Sequence, residues 1–336
     1  MTFVRNAWYV AGLSTEFAQD NVIGRTLLDE RIVLYRRQDG MMAAIGGVCP
    51  HRFAPLEMGK RRGDAIECIY HGLQFDGSGK CIHNPRTGGA LHRQLDVPGY
   101  EVCEKFGFVW VFMKGGEDSA PIPIPDDMSF LEELPAEDRG DAYLHMNADY
   151  RLIIDNLMDA SHADFLHPEL LATNGVLSQS PELIDDGHSI AGIYTADNKP
   201  VQALFGPFVP GGTADQHFLF QWFPPSLIRI TARITVPGGE TIFTDTMQIL
   251  TPETAHSCHY WVSSVRNFAL GGRAVTDQIT NNVRDVFLHE DKPVLEAIDR
   301  IIGDRDFWKM RPALLEGDAP SALVRRRVAE LATRSA

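Results

Sequence analysis

Two short segments of the sequence carry residue types suited to a redox metal group. Cys49–His51 has the pattern C-x-H, and Cys68–His71 has the pattern C-x-x-H. Two thiolates and two imidazoles can hold a [2Fe–2S] cluster in which two histidines replace two cysteines on one iron, which raises the reduction potential. Such a cluster would accept electrons and pass them on to another centre.

A structural zinc site is the alternative for the same four ligands, Cys49, His51, Cys68 and His71. The common zinc pattern places two cysteines in one loop and two histidines elsewhere, whereas here each segment supplies one of each. The ligand order therefore favours the cluster. The backbone around it, with Gly72 as an example, suits tight loops, and the Tyr70 hydroxyl is a candidate donor to a cluster sulfur.

A second candidate metal site lies in 155–167, which has two histidines and several carboxylates on a predicted helix (149–167). Two histidines and one carboxylate form the facial triad of non-heme Fe(II) oxygenases. Asp159 and His162 are three residues apart and would share a helix face. Pro168 favours a helix end at His167, which would let that ring turn inward. The alternative is a pair of histidines at the surface or at the helix end.

Together these patterns resemble the oxygenase components of the Rieske non-heme iron oxygenases, most closely the branch of vanillate O-demethylase and dicamba monooxygenase. The resemblance runs nearly end to end. It is carried by six segments: Asn6–Ala11, Cys49–Arg52, Tyr70–Leu73, Asp155–Asp159, Leu250–Thr254 and Arg266–Phe268.

The resemblance implies a role for each metal-binding residue. One cluster iron would be bound by two thiolates and the other by two imidazoles, from Cys49 and Cys68 and from His51 and His71. The mononuclear iron would be bound by His162, His167 and Asp291. Glu290–Lys292 matches the neighbourhood of the family's third ligand. Asp291 could instead be a helix N-cap before Pro293, in which case Asp285 and Glu290 are the other candidates.

The resemblance also implies two residues close to the iron and a substrate pocket. The Asp159 carboxylate would hydrogen-bond His162 and, in a neighbouring subunit, His71. Asn156 would lie beside the iron. Small aromatic ligands require a mostly apolar pocket with a few polar anchors, and Gln248 or Asn282 could bind a substrate carboxylate or hydroxyl. The full set of pocket candidates, each of which could equally be plain core, is Leu157, Ile234, Gln248, Trp261 and Asn282.

The fold class expected is α+β, in two domains. A Gly/Pro-rich linker at 114–125 predicts a Rieske [2Fe–2S] domain in 1–118 and a catalytic domain in 119–336. Predicted strands in the first are Arg31–Arg36, Met41–Gly46 and Gly107–Met113, with a turn at Asp76–Gly79. Those in the second are His188–Thr195, Phe218–Phe223, Ile228–Val236, Thr241–Thr251 and Ser257–Val265. Helices are predicted at 275–303 and 321–333. Blocks of strands and helices favour an antiparallel sheet with helices on it, and the resemblance implies the helix-grip (START-like) fold.

The net charge of −14 is unevenly distributed, since residues 1–118 hold 14 basic and 14 acidic side chains and the remainder hold 17 and 31. This distribution argues against nucleic-acid binding. Lys60–Arg62 is expected to be a solvated turn or a docking point for an acidic partner. With neither a membrane-length apolar run nor a signal pattern, a cytoplasmic protein without a membrane partner is expected. Cys81, Cys103 and Cys258 are expected to be reduced thiols.

The expected activity is that of a terminal monooxygenase that uses O2. NAD(P)H would supply electrons through a separate reductase, a ferredoxin or both, because the chain has no dinucleotide-binding glycine loop. The resemblance implies a homotrimer, and the expected reaction is O-demethylation of a methoxylated aromatic acid similar to vanillate. The alternatives are hydroxylation of a methyl or ring carbon of another aromatic or polycyclic substrate, a Rieske-type electron carrier, and a zinc-containing ligand-binding module.

Overall fold

A computed structural model describes residues 3–86, 88–116, 121, 123–124, 126–236 and 238–334. The chain forms two compact units. The first runs to Ile124 and includes Thr251–Ala255, and the second comprises Pro125–Leu250 and His256–Arg334. The predicted boundary between residues 118 and 119 lies outside the described residues.

The first unit is built from antiparallel strands. Within the described residues these are β1 (Ala7–Leu13), β2 (Val22–Leu27), β3 (Glu30–Arg36), β4 (Met42–Gly46), β5 (Lys60–Arg62), β6 (Ala65–Glu67), β7 (Gln74–Phe75), β8 (Cys81–His83), β9 (Gly99–Tyr100), β10 (Val102–Lys105) and β11 (Phe108–Met113). They form three sheets, with the orders β1-β11-β10, β2-β3-β4-β9 and β5-β6-β7-β8. Every residue of β4 and β11 is buried, as expected for strands at the centre of a core.

The four-stranded sheet β5–β8 follows the first cysteine–histidine segment in sequence and contains the second, which lies between β6 and β7. The predicted turn joins β7 to β8, where Asp76 Oδ1 accepts a hydrogen bond from the Ser78 N–H at 2.9 Å. The expectation of a solvated turn at Lys60–Arg62 is wrong, because these residues form β5 and pair with β6. The Arg62 guanidinium bonds Glu67 at 2.9 Å, so one cation of this run is already paired.

The second unit contains one seven-stranded antiparallel sheet. Its strands are β12 (Arg139–Met146), β13 (Glu182–Asp185), β14 (Ile190–Pro200), β15 (Thr213–Phe223), β16 (Leu227–Thr235), β17 (Thr241–Thr254) and β18 (Ser257–Arg266). Their order is β12-β18-β17-β16-β15-β14-β13. The register between β16 and β17 is unbroken from Leu227–Ile249 to Thr235–Thr241. Five strands were predicted from sequence, and the two edge strands β12 and β13 were missed.

Five α-helices lie in the described part of this unit: α1 (Tyr150–Met158), α2 (Ala163–Leu166), α3 (Arg273–Val286), α4 (Lys292–Ile302) and α5 (Ala319–Arg334). A π-helical turn, Phe287–Asp291, joins α3 to α4. Helix α1 contacts β15, α3 contacts β12 and α5 contacts β14. Helices packed on an antiparallel sheet confirm the α+β prediction.

The prediction of one helix over 149–167 is wrong. Helix α1 ends at Met158, and Asp159 is extended (φ −105°, ψ 92°) before a short 3-10 turn, Ala160–His162, leads into α2. Asp159 Oδ1 accepts a hydrogen bond from the Ser161 N–H at 3.1 Å. This side-chain bond competes with helix continuation and caps the following turn instead. Asp159 and His162 therefore do not share the face of one continuous helix.

Helix α3 approaches β12 closely at Gly140. A Cβ atom on Gly140 would lie 1.9 Å from Thr280 Oγ1 and 3.1 Å from Thr280 Cβ. Only glycine fits such a close approach without displacement of the helix or the strand. This contact sets the distance between α3 and the sheet along one side of the cavity described below.

Candidate metal centres and substrate cavity

The two cysteine–histidine segments form loops with the same hydrogen-bond pattern. These loops are Cys49–Ala54 and Cys68–Leu73. In each, the cysteine N–H donates to the carbonyl five residues on, and the cysteine carbonyl accepts from the N–H four residues on, at 2.7–2.9 Å. The residue four positions after the cysteine has positive φ in both loops, +60° at Phe53 and +75° at Gly72. The two loops are therefore local copies of one turn, and each presents a cysteine in an equivalent way.

The four side chains of these loops that could bind a metal lie in two pairs, one of cysteines and one of histidines. The Cys49 and Cys68 side chains are buried, and the ring centroids of His51 and His71 are 4.5 Å apart. Burial raises the pKa of the Cys49 thiol to about 11, so a bound metal must displace that proton. Desolvation, His51 and nearby arginines lower the pKa of His71, which favours the neutral ring that binds metal. Two buried sulfurs beside two close imidazoles suit the cluster.

Tyr70 lies at the surface of the second loop. It is exposed, and its ring centroid is 4.0 Å from that of His71. The hydrogen bond from its hydroxyl to a cluster sulfur stays a prediction.

His162, His167 and Asp291 meet in the second unit. Their candidate ligand atoms all lie within 4.8 Å of one another. Asp291 Oδ1 is 3.6 Å from His162 Nε2, and Asp291 Oδ2 is 3.2 Å from His167 Nε2. Asp291 is fully buried, and among the described residues its Oδ2 atom has no hydrogen-bond partner. A buried carboxylate oxygen left without a donor beside two imidazole nitrogens suits a divalent iron.

Two neighbours fix the orientation of these side chains. Asn156 Nδ2 donates to Asp291 Oδ1 at 3.1 Å, and His167 Nδ1 lies 2.6 Å from Glu290 Oε2. Burial opposes protonation of His167, but the adjacent carboxylates of Asp291 and Glu290 outweigh it and raise the pKa of the imidazole. A carboxylate that accepts the outer N–H of a metal-binding histidine is a common orienting contact.

The other readings of the Asp291 region are not supported by this geometry. Asp291 lies inside a continuous helical segment and makes no side-chain capping bond, so the N-cap alternative is wrong. Glu290 contacts the far side of His167 instead of joining the three ligand atoms. Asp285 is half-buried and pairs with Arg284 at 2.8 Å. The π turn presents Glu290 and Asp291 to the same histidine, which sequence reasoning did not foresee.

The predicted contact from the Asp159 carboxylate to His162 is wrong. His162 Nδ1 hydrogen-bonds the main-chain carbonyl of Asp159. The Asp159 carboxylate instead accepts hydrogen bonds from the N–H and the hydroxyl of Ser161, at 3.1 and 2.7 Å. The break between α1 and the 3-10 turn exposes that carbonyl, so the backbone performs what was assigned to the side chain.

His162 and His167 also line a cavity of about 150 Å³ in the second unit. Its surface is mostly apolar. Of the predicted pocket residues, Leu157 and Gln248 line it. The apolar residues of the wall come from α1, the segment between β14 and β15, the sheet and the π turn, and include Leu157, Leu204, Phe205, Phe218, Ile230 and Phe287.

Three predicted pocket residues do not line this cavity, and each error has a geometric reason. Trp261 points away because strand alternation gives the cavity to Val262. Asn282 is exposed on the outer side of α3. Ile234 is buried two residues beyond the last cavity residue of β16, Ala232, on the same face of the strand.

Sequence reasoning also missed cavity residues. Thr244, Thr246 and Ser264 line the cavity beside Gln248. The signal was present, since positions 244, 246 and 248 of one strand must share a face.

Two family comparisons cover most of the chain. Residues 7–101 match the family described as Rieske [2Fe-2S] domain, and residues 146–334 match the vanillate O-demethylase oxygenase C-terminal domain. The chain belongs to the Rieske non-heme iron oxygenases. It carries a Rieske [2Fe–2S] cluster and a mononuclear non-heme iron.

This Rieske oxygenase chain is similar over nearly its whole length to several known proteins. It is 34% identical to the oxygenase component of dicamba O-demethylase from Stenotrophomonas maltophilia, over 98% of each chain. It is 33% identical to the oxygenase component of chloroacetanilide N-alkylformylase from Rhizorhabdus wittichii, over 96% of this chain and 94% of that one. The crystal structure of dicamba monooxygenase bound to dicamba superimposes with a TM-score of 0.89 over 99% of both chains, at 33% identity.

These matches decide between the classes of function left open by the sequence. A terminal oxygenase component is confirmed, and the electron-carrier and zinc-module alternatives are wrong. An oxygenase component works with a separate electron donor.

No helix in the described ranges is long and apolar enough to cross a membrane.

Proposed function

We propose that this Rieske oxygenase removes the methyl group of a methoxy-substituted aromatic compound, with His162, His167 and Asp291 as the iron ligands. One observation carries the proposal: the two histidines that meet the buried Asp291 carboxylate also line a mostly apolar cavity. A small arene in this cavity would lie directly beside the metal site. The dicamba and vanillate relatives are named as O-demethylases.

When bound, the iron would supply insertion of one oxygen atom of O2 into a substrate C–H bond, with two electrons and two protons taken up and the second oxygen atom released as water. Insertion at a methoxy carbon gives a hemiacetal, which separates into a phenol and formaldehyde. The chain's own residues prepare this reaction. The apolar wall holds the ring and excludes water, while Glu290 orients His167 and Asn156 orients Asp291.

The cluster ligands we propose are Cys49, His51, Cys68 and His71. The support is the equivalence of the two loops and the burial of both sulfurs. We further propose that NAD(P)H provides the electrons through a separate reductase, with or without a ferredoxin.

We also propose a homotrimer in which the Asp159 carboxylate contacts His71 of a neighbouring subunit. Two features support it. Around the cluster loops the large apolar side chains of Phe53, Ile69 and Tyr70 are exposed, as on a surface that is covered by another protein. Within the described residues, the hydrogen bonds of the Asp159 carboxylate use Oδ1, so Oδ2 is left for a further donor. Light scattering on the purified holoprotein tests the trimer.

The reaction itself is tested with purified holoprotein, a compatible reductase, NADH and a panel of methoxyarenes. We expect formaldehyde in proportion to the oxygen consumed. Asp291→Ala should abolish formaldehyde release and lower iron content while the cluster stays reducible, because it removes the only carboxylate of the ligand set. Asp285→Ala, at a half-buried carboxylate of the same helical segment that pairs with Arg284, is the matched control. Tight oxygen coupling to a ring- or methyl-hydroxylated product without formaldehyde would contradict O-demethylation.

A further inference from the structure

The polar part of the cavity wall is a short stripe on two neighbouring strands. Thr244, Thr246 and Gln248 face the cavity from β17, and Ser264 faces it from β18. Thr246 Oγ1 and Ser264 Oγ are 3.1 Å apart and hydrogen-bond each other. Two hydroxyls that share one mutual bond keep one O–H group free to donate. We call these four residues, three on β17 and one on β18, the β17 stripe.

The Gln248 amide is held in one orientation by a buried tyrosine. The Tyr260 hydroxyl donates to Gln248 Oε1 at 2.7 Å. Desolvation raises the pKa of Tyr260 well above its usual value, so this hydroxyl keeps its proton and remains a donor. With its carbonyl oxygen engaged, Gln248 offers its NH2 group to the cavity. The β17 stripe therefore presents hydrogen-bond donors to a ligand.

Away from its metal-binding end, the side chains of the cavity wall supply little positive charge to bind an anion. Among the described residues that line it, Arg284 is the only side chain with a permanent positive charge. Its Nε and Nη2 atoms both donate to Asp285 Oδ1, at 3.1 and 2.8 Å, and its side chain is 41% exposed. A buried carboxylate is costly unless a charge and hydrogen bonds compensate for its lost hydration. Here the one cationic side chain of the wall is paired with Asp285 and lies partly in solvent.

We propose that the cavity selects a neutral methoxyarene whose acceptor substituent, such as an amide or ketone carbonyl, is bound by the Gln248 NH2 group and the Thr246–Ser264 hydroxyl pair, and that it discriminates against aromatic carboxylates. This inference rests on the proposed function, because the cavity must be its substrate site. It departs from the sequence-based expectation of an aromatic acid. Donor groups without a free cation favour a neutral acceptor over an anion.

The test measures binding of ligands to the holoprotein by calorimetry, without turnover. Three para-substituted anisoles serve as probes: 4-methoxybenzamide, 4-methoxybenzoate and 4-methylanisole. They share the ring and the methoxy group and differ in one substituent, which is a neutral acceptor, an anion or a methyl group. We expect the amide to bind about tenfold or more tightly than the benzoate at neutral pH.

Substitutions in the stripe identify the contacts. Gln248→Leu should raise the dissociation constant of the amide about tenfold and leave that of 4-methylanisole unchanged. Gln221→Leu is the matched control, since Gln221 is a glutamine of the same sheet that donates to Ser189 Oγ at 2.8 Å outside the cavity. Tyr260→Phe should release the amide of Gln248, reduce the preference for the carbonyl ligand and improve binding of 4-methoxyphenol, a hydroxyl donor.

Two outcomes would overturn the inference: benzoate binding as tight as or tighter than that of the amide, or amide binding unchanged in Gln248→Leu. Arg284→Gln gives an independent check, because a loss of benzoate affinity larger than that of amide affinity would identify Arg284 as a carboxylate anchor. The proposed function fails separately. If the amide binds selectively and is oxidised without formaldehyde, O-demethylation is wrong and the selectivity stands.

Discussion

The two histidines of the candidate iron site are oriented by different kinds of acceptor. His162 Nδ1 bonds a main-chain carbonyl, whereas His167 Nδ1 bonds the Glu290 carboxylate. A backbone acceptor cannot be removed by substitution of its own side chain, but a carboxylate can. Glu290 is therefore the position at which the orientation of one ligand can be tested with the ligand set intact.

We expect Glu290→Gln to weaken divalent metal binding at the mononuclear site about tenfold, because loss of the carboxylate partner reduces the basicity and order of His167. The measurement is titration of metal-depleted protein with Fe(II) or Co(II). The cluster absorption should not change. Asp285→Asn, on the same helical segment and paired with Arg284, is the control, and an equal affinity in both variants would exclude a positioning role for Glu290.

The cysteine loops allow a second test at single residues. Cys68→Ser should remove the visible iron–sulfur absorption, since it deletes a sulfur ligand of the proposed cluster. Cys81→Ser is matched to it, because Cys81 is as fully buried and belongs to the same hydrophobic core. Absorption and reduction that survive in Cys68→Ser, or that vanish equally in both variants, would show that the ligand assignment is wrong.

At the scale of elements, the position of α3 on the sheet depends on Gly140. We expect Gly140→Ala to lower the free energy of unfolding by about 1–3 kcal/mol, because the new methyl group collides with Thr280. The measurement is urea unfolding of the holoprotein. The same substitution in a Thr280→Ala background should cost less, and Gly206→Ala, with open space around it, should cost little. Equal losses at both glycines would contradict the packing argument.

Sequence patterns predicted the elements that repeat and missed those that break a repeat. Alternation and β-branched runs indicated β3, β4 and β14–β18 within a few residues of their ends. The turn at Asp159 and the π turn were missed, since residues 149–167 and 275–303 are compatible with unbroken helices. The Asp159–Ser161 pair was a readable capping signal. Nothing local predicts a π turn, because it is stabilised by the tertiary contacts of Glu290 and Asp291.

The sequence predicted more of the candidate metal-binding residues than of the pocket residues around them. Six of the residues are recognisable by type and spacing, whereas Asp291 was implied only by the family resemblance: Cys49, His51, Cys68, His71, His162 and His167. The structure brings each set together. The pocket was predicted poorly, because the direction of a side chain such as Trp261 depends on strand register, and register is set by pairing between distant segments.

At the scale of the molecule, acidic groups dominate, and the excess lies entirely after residue 118. His256 is one of the few basic groups held between two of them. Its Nδ1 is 3.0 Å from Asp299 and its Nε2 is 3.1 Å from Asp304. The bond to Asp304 and the charge of Asp299 raise the pKa of His256, in spite of partial desolvation.

A histidine with a raised pKa in the folded state stabilises the fold fully at pH below its unfolded pKa of about 6.5. That stabilisation is lost as the pH rises through the higher folded pKa. We therefore expect the difference in thermal midpoint between the wild type and His256→Gln to be largest near pH 6 and to shrink toward about pH 8.5. Calorimetric scans across this range measure it. A difference that grows with pH would contradict the assignment.

The π turn has a consequence for how the gene can vary. It holds one residue more than an α-helical turn, so α3 and α4 are out of phase by about 100°. Deletion of one residue between 287 and 291 would restore a regular helix. It would rotate either the α3 part of the cavity wall, or Glu290 and Asp291, out of place. Point substitutions at exposed positions of α3 preserve this phase. Evolution can therefore reshape the cavity by exchange of side chains, whereas a single-codon deletion in this segment would erase the iron site and leave a foldable chain.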